Sequence, residues 1–420
     1  MLLHMKYHKR IVDDLLKDNL EASGAVWVRG IKSCGKTETA KRFANSVLQV
    51  DIDPNVAVTM SVSPSELLVG DTPRLFDEWQ TQPKLWDYIR HEVDNRQKKG
   101  QFILTGSATP DDNARTHSGV GRFTIINMRT MSWIEQGLSS GSVSLKDLVL
   151  GGKKIKQDLQ THTELSVIIE TLARGGWPAL IGMSNNKFSA VNNAYFEQLT
   201  ETDMSKVSGI RRDPVKVKAL LASLARNIAT PVDSSTLIAD MGEGSATKPT
   251  VYDYLETLER IMVLENQPAW RTHIRSSASL RKTPKRHFAD TSIAVAALKL
   301  DLSTIRNDLK YVGFLFESLV YHDIKVYAER NYLGVSYYRD SYDREIDIIV
   351  SGFGGKWAAF EVKLGVGDID SAVENLKTIA QDIDTSKILP PSSLNIITGT
   401  GYTYTRSDGI NVISLASLGL

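Results

Sequence analysis

The sequence lacks the features that define several large classes of protein. It has one cysteine, Cys34, so no disulfide can close within the chain, and a reducing, cytoplasmic setting is expected. No apolar run approaches the ~20 residues that a membrane-spanning helix needs, so no membrane partner is expected. The opening stretch MLLHMKYHKRIVDDLL has neither an apolar h-region nor a small-residue cleavage site, and it does not read as a secretory signal. An excess of one charge is also missing: 50 Lys and Arg face 49 Asp and Glu. Global electrostatics therefore name no partner, and a nucleic-acid surface would have to be a local patch. There is no internal repeat or low-complexity tract. Only 13 prolines occur in 420 residues, which argues for folded units over long tails. A chain of that length exceeds what one core serves, and roughly two to four domains are expected.

Local motifs are plentiful. AVWVRG, at 25–30, is a buried-strand pattern that ends in glycine. Gly30, Ile31, Lys32, Ser33, Cys34, Gly35, Lys36 and Thr37 then complete G-x-x-x-x-G-K-[ST], with a helical pattern following. Ala40, Phe43, Ala44 and Val47 share one face of that predicted helix. The glycines permit a loop whose N–H groups converge on phosphate. Lys36 supplies a point charge to the outer phosphates, and the Thr37 hydroxyl can ligate magnesium. ATP and Mg²⁺ are the expected ligands. Cys34 reads as a small residue chosen for fit.

Magnesium held on a phosphate also needs a carboxylate, and hydrolysis needs a base. PRLFDEWQ, at 73–80, supplies an acidic pair at a strand end: Asp77 for the metal and Glu78 for the attacking water. QFILTGSATP, at 101–110, is an apolar strand whose terminal Thr105 and Ser107 could sense the γ-phosphate. Arg122, in HSGVGRF, is either an arginine finger for a neighbouring subunit or a surface residue. The first reading makes a homo-oligomer a candidate assembly. Alternating strands and helices imply a parallel sheet over residues 1–150.

Residues 151–205 read as a helical lid. Over 206–285, three helical patterns precede an alternating segment, which fits a winged helix-turn-helix. The stretch RTHIRSSASLRKTPKRH, at 271–287, has six Lys and Arg and no acid. It is a usable phosphate-contact strip, which makes DNA a candidate partner, or else a basic hairpin that docks on another domain's acids.

Residues 286–420 run helix, three strands, helix, strand. WAAFEVK, at 357–363, is core-like, yet Glu361 and Lys363 share one face. Burying such charges is costly unless something pairs with them. REIDIIVS places Glu345 and Asp347 on one face of the preceding strand, and Glu317 lies in an apolar helical run. Asp347 and Glu361 could share a divalent ion, with Glu317 reaching the same site. Lys363 could orient or deprotonate a water for attack on phosphate. The bland alternative is a surface Glu361–Lys363 pair.

The ordered set GIKSCGKT, PRLFDEWQ, QFILTGSATP, HSGVGR, RGGWPA, KRHFAD, GFLFESLV, REIDIIV, WAAFEVKLG and NIITGTGY resembles a family of prokaryotic AAA-type ATPases. That family carries a C-terminal domain of unknown function similar to restriction-endonuclease folds. The resemblance implies an α/β protein with four parts. These are a P-loop parallel-sheet ATPase core, a helical lid, a winged-helix middle and an α/β nuclease-like C-terminal domain. It implies ATP on Gly30 to Thr37, Mg²⁺ on Asp77 and Glu78, and a nuclease-like motif on Asp347, Glu361 and Lys363 with Glu317. The expected function is ATP hydrolysis coupled to a nucleic-acid-acting domain. The alternative is an ATP-driven switch or regulator whose C-terminal domain only binds DNA or a protein.

Overall fold

The computed structural model of the chain describes residues 7–107, 119–152, 155–204, 211–242, 244, 246–271, 282–383 and 388–420. Its first unit is built on β1 (Ala25–Arg29), β2 (Ser46–Gln49), β3 (Arg74–Asp77), β4 (Phe102–Gly106) and β5 (Phe123–Asn127). They form one parallel sheet in the order β2-β3-β4-β1-β5. Strands covered on both faces must be apolar throughout, and β1 is buried along AVWV. Val26 and Val28 pack with Leu15 and Leu16 of the helix Ile11–Ala22. Ala25 and Trp27 point the other way, where Trp27 meets Trp79 and Trp86 edge-on.

The helix after the phosphate loop is shorter than its apolar pattern predicts. It spans Lys36–Lys41, and Val47 lies in β2 with 42% of its surface exposed. The segment is taken by the sheet edge, where Val47 pairs with Leu75. Backbone hydrogen bonds to β3 outweigh continuation of an amphipathic turn.

β6 (Val143–Ser144) follows, then helices Leu165–Arg174 and Asn185–Gln198. Three more helices, Pro214–Arg226, Ser234–Met241 and Lys248–Arg260, are capped by side chains of Asp213, Asp233 and Thr247. β7 (Leu264–Gln267) and β8 (Lys285–Phe288) then pair antiparallel. Most of the predicted basic strip, 272–281, lies outside the described residues. The helix Thr291–Ala297 packs on helices 165–174, 185–198 and 214–226. A boundary at 286 therefore falls inside β8, and residues 285–307 are tied to the middle of the chain.

The last unit has the helix Leu309–Arg330 against a mixed sheet of β9 (Gly334–Arg339), β10 (Glu345–Ser351), β11 (Trp357–Lys363), β12 (Ser393–Thr398), β13 (Tyr404–Thr405) and β14 (Asn411–Ser414). The order is β13-β14-β12-β11-β10-β9. The amphipathic helix Ile369–Asp382 crosses between the parallel strands β11 and β12. β15 (Leu418–Gly419) returns to pair with β6. Among the described residues no helix is long and apolar enough to cross a membrane.

Candidate active sites

The phosphate loop leaves β1 at its carboxyl end. Gly30 cannot carry a side chain, because a Cβ there would stand 2.0 Å from the Met128 carbonyl oxygen. Gly35 adopts φ +105° at the start of the helix. Lys36 is buried, and its ammonium donates to the Gly30 and Ile31 carbonyls at 3.0 Å each. Cys34 is fully buried against the Met128 carbonyl, in keeping with a residue chosen for fit. Arg10 braces the loop from behind, donating to the Cys34 and Arg129 carbonyls and pairing with Glu135.

β4 lies between β1 and β3, which brings three distant motifs together. The Thr37 hydroxyl donates to Asp77 Oδ1 at 2.7 Å, and the Thr105 hydroxyl donates to the same oxygen at 2.5 Å. Glu78 follows in a left-handed conformation, φ 54°, and Gln80 Nε2 donates to its carboxylate at 2.5 Å. A cavity of about 480 Å³ opens here, lined by Lys32, Glu78, Gln80 and Ser107 from the first unit. Tyr195, Leu199, Asp203, Ile261 and Val263 close it from the middle of the chain. Lys32 pairs with Asp203 across it at 3.3 Å. Sequence reasoning missed these closing residues because nothing local distinguishes them from ordinary helix and strand positions.

Arg122 sits elsewhere. It immediately precedes β5, which runs parallel to β1, so it is at the end of the sheet opposite the phosphate loop. Its half-exposed guanidinium pairs with Asp94 at 2.9 Å. It does not reach this chain's own phosphate loop.

In the C-terminal unit, Asp347 and Glu361 lie across β10 and β11, one step beyond the Ile348–Phe360 pair. The Val362 N–H donates to Asp347 Oδ2 at 2.9 Å. The tight carboxylate group is nevertheless a different one: Glu317, Glu345 and Asp347 bring one oxygen each within 4.8 Å of one another. Glu361 is paired with Lys363 at 3.0 Å, and its other oxygen, buried, has no hydrogen-bond partner among the described residues. Asp347 and Glu361 are thus on adjacent strands as expected, and Glu345 joins Asp347 and Glu317 at the site. Its signal was the alternation that put it on Asp347's face. Burial, and then the Asp347 charge, push the Glu317 and Glu361 carboxyls well above the usual range. Burial would lower Lys363, but Glu361 and Asp347 raise it.

Lys285 follows the second of the two readings of the basic stretch, the one that docks on another unit's acids. It is not a solvated residue: it is 1% exposed, and its ammonium lies among the same carboxylates. It contacts Glu317 at 2.6 Å, Asp347 at 3.4 Å and Glu345 still more closely. Burial alone would lower its pKa, but Glu317, Asp347 and Glu345 carry it well above the ordinary lysine value. Next to it on the hairpin, Gln267 donates to the Asp347 and Ser336 carbonyls.

The two sites are physically connected. Arg129, buried just past β5, makes a bidentate contact to Glu265 of β7 at 2.7 and 3.0 Å and a third to Glu329 of the helix Leu309–Arg330 at 2.7 Å. Glu265 and Lys285 lie on paired strands.

Residues 22–136 match the family model of the AAA domain. The phosphate loop, Asp77 and Thr105 all fall within it. The chain carries an AAA-type ATPase domain. Residues 166–304 match a domain of unknown function (DUF8612), and residues 312–418 match another (DUF4143). Uncharacterized proteins of Mycobacterium tuberculosis and Mycobacterium bovis are each 22% identical over 355 residues, 83% of this chain and 72% of theirs. A crystal structure of a signal transduction ATPase with numerous domains and a tetratricopeptide repeat sensor, from Pyrococcus horikoshii, aligns with 77% of this chain at 13% identity. This chain spans about half (48%) of that one, and the TM-score of 0.21 is too low to carry a fold argument.

Proposed function

We propose that this protein hydrolyses ATP in its first unit and uses the bound nucleotide to control a C-terminal unit that acts on nucleic-acid phosphodiesters. The observation that carries the ATPase assignment is the convergence of Thr37 and Thr105 on Asp77 beside the phosphate loop. The hydroxyl and carboxylate oxygens of Thr37 and Asp77 are the hard donors that Mg²⁺ takes, and these residues would hold it. Mg²⁺, when bound, would offset charge on the phosphates. The loop amides and Lys36 bind and orient the triphosphate. Glu78, held by Gln80, orients the attacking water and accepts its proton. Thr105 and Ser107 stand at the γ-phosphate end. Tyr195, Leu199, Ile261 and Val263 shield the cavity from solvent. Arg122, at the far end of the sheet, would serve only a neighbouring copy in a homo-oligomer.

For the C-terminal unit, the donor set of Glu317, Glu345 and Asp347 suits a divalent ion, and Glu361 adds an oxygen without a partner among the described residues. Lys363, held charged, would orient a scissile phosphate or its water. A second reading, in which this unit binds DNA or a protein without cleaving, is favoured by Lys285 lying among the carboxylates. DNA cleavage with Mg²⁺ or Mn²⁺, compared across the parent, Asp347→Ala and Lys363→Ala, tests both. Cleavage by the parent that disappears in both variants supports the nuclease. No cleavage in any nucleotide state supports the second reading, and cleavage that survives both substitutions removes Asp347 and Lys363 from the chemistry.

A further inference from the structure

The ammonium of Lys285 belongs to a hairpin built from the middle of the chain. The carboxylates it touches belong to the helix Leu309–Arg330 and to β10. A lysine buried to this extent is rare unless its charge is matched. Here it is over-matched: Glu317, Glu345 and Asp347 surround it, while Lys363 is engaged by Glu361. One oxygen from each of the three carboxylates lies within 4.8 Å of the other two. Ligands on opposite sides of one Mg²⁺ or Ca²⁺ ion stand about 4–5 Å apart, given metal–oxygen bonds of roughly 2.0–2.6 Å. The cluster is therefore already the size of a divalent-ion site, with a monovalent cation at its centre. Glu361 Oε2, buried and without a partner among the described residues, is a further oxygen that an ammonium engaged elsewhere leaves unsatisfied.

We propose that Lys285 is a built-in counter-ion that occupies the divalent-cation position of the C-terminal site, and that a divalent ion enters by displacing it. The site is thereby held shut by a contact within the chain. This inference rests on reading the C-terminal unit as a divalent-metal site. Lys285 is the first residue of β8 and forms the last pair of the hairpin, opposite Gln267. Its side chain can swing out while β7 and β8 stay paired. Gln267 and His287, bonded to each other, keep the hairpin seated during that exchange. Glu265, on the partner strand, ties the same hairpin to Arg129 of the ATPase unit. A movement of that unit on nucleotide binding would be felt at Lys285.

The test uses the full-length chain and Mn²⁺. Acetylation of Lys285 by an amine-reactive ester is followed by mass spectrometry, with exposed lysines as internal references, while calorimetry measures Mn²⁺ binding. Lys285 should label slowly without metal and roughly tenfold or more faster at saturating Mn²⁺, as expected when an ion pair of buried charges is exchanged. Asp347→Asn should abolish that gain. Lys285→Met should bind Mn²⁺ roughly tenfold or more tightly than the parent, because one opposing charge is gone. Lys285→Gln keeps a hydrogen-bond donor among the carboxylates and serves as the second variant where methionine impairs folding. If Mn²⁺ binds the parent in an Asp347-dependent way while Lys285 labelling stays unchanged, displacement is overturned and the metal site stands. Variants that bind no more tightly than the parent overturn the displacement as well. Absence of Mn²⁺ binding in the parent and in a folded Lys285 variant overturns both the displacement and the metal reading.

Discussion

The two acid-centred sites of this chain satisfy their carboxylates in opposite ways. At the nucleotide site Asp77 accepts hydroxyl hydrogens from Thr37 and Thr105, and the nearby lysine, Lys36, is turned to backbone carbonyls. At the C-terminal site three carboxylates close on one ammonium. Hydroxyl donors hold the first, and an ion cluster around a buried lysine holds the second. A single carboxylate among hydroxyls can be assembled without a resident cation. A site that gathers several carboxylates at once cannot, because their mutual repulsion in a low-dielectric interior needs a counter-charge. That counter-charge comes from a different sheet, the β7–β8 hairpin.

The comparison can be broken experimentally. The largest effect is expected on ATP turnover: Lys36→Ala should reduce it by about a hundredfold or more, measured by phosphate release. Parental turnover in that variant would remove the nucleotide site from the comparison altogether. Stability should rank the two sites in the other direction. Lys285→Met leaves three clustered, partly buried carboxylates uncompensated and should cost about 3 kcal/mol in chemical denaturation. Asp77→Asn, whose partners are hydroxyls, should cost about 1 kcal/mol. Equal costs would mean that the C-terminal cluster is better solvated than its burial indicates.

A smaller effect concerns acid. His287 is buried, stacked on the Tyr321 ring, and bonded to Ser318 and Gln267. Burial, and then the charge of Lys285, lower its pKa from 6.5 to about 3, with Glu265 opposing. In that window the unfolded chain takes a proton that the folded chain refuses. Stability from neutral His287 is therefore complete above pH 6.5 and is lost as pH falls toward 3, at up to about 1.4 kcal/mol per pH unit. The raised Glu317 and Glu361 act in reverse, losing stability as pH rises. The His287 share is read as the difference between the parent and His287→Gln in thermal melts from pH 7 to 4. Identical slopes would show that the hairpin opens before the histidine titrates. The smallest effect is expected at the surface. Arg122→Ala should leave the unfolding midpoint unchanged, because its pair with Asp94 is exposed. A loss of ATP turnover in that variant, restored by mixing with Lys36→Ala subunits, would assign it to a neighbouring copy's site.

The nucleotide site was readable because its parts are short and contiguous. The glycines at 30 and 35, the Lys36-Thr37 pair and the Asp77-Glu78 pair each follow a strand whose apolar character is visible in the sequence. The same holds for Glu317 and Asp347, whose face and neighbours follow from helical and strand periodicity. The length of the helix after the loop was misjudged, because edge-strand pairing with β3 competes for the same residues. The cavity-closing Tyr195, Ile261 and Val263 carry no local mark.

Periodicity assigns a residue to a face of its own element, and by itself it determined the phosphate loop, the acidic pair beside it and most of the C-terminal acids. Only the tertiary structure decided that Lys285 leaves a basic strip for a carboxylate cluster, that Glu345 enters that cluster, and that Arg129 joins three units. The reason is physical. A charged side chain looks the same in sequence whether water or another charge solvates it, and that choice is made by packing between elements far apart in the chain.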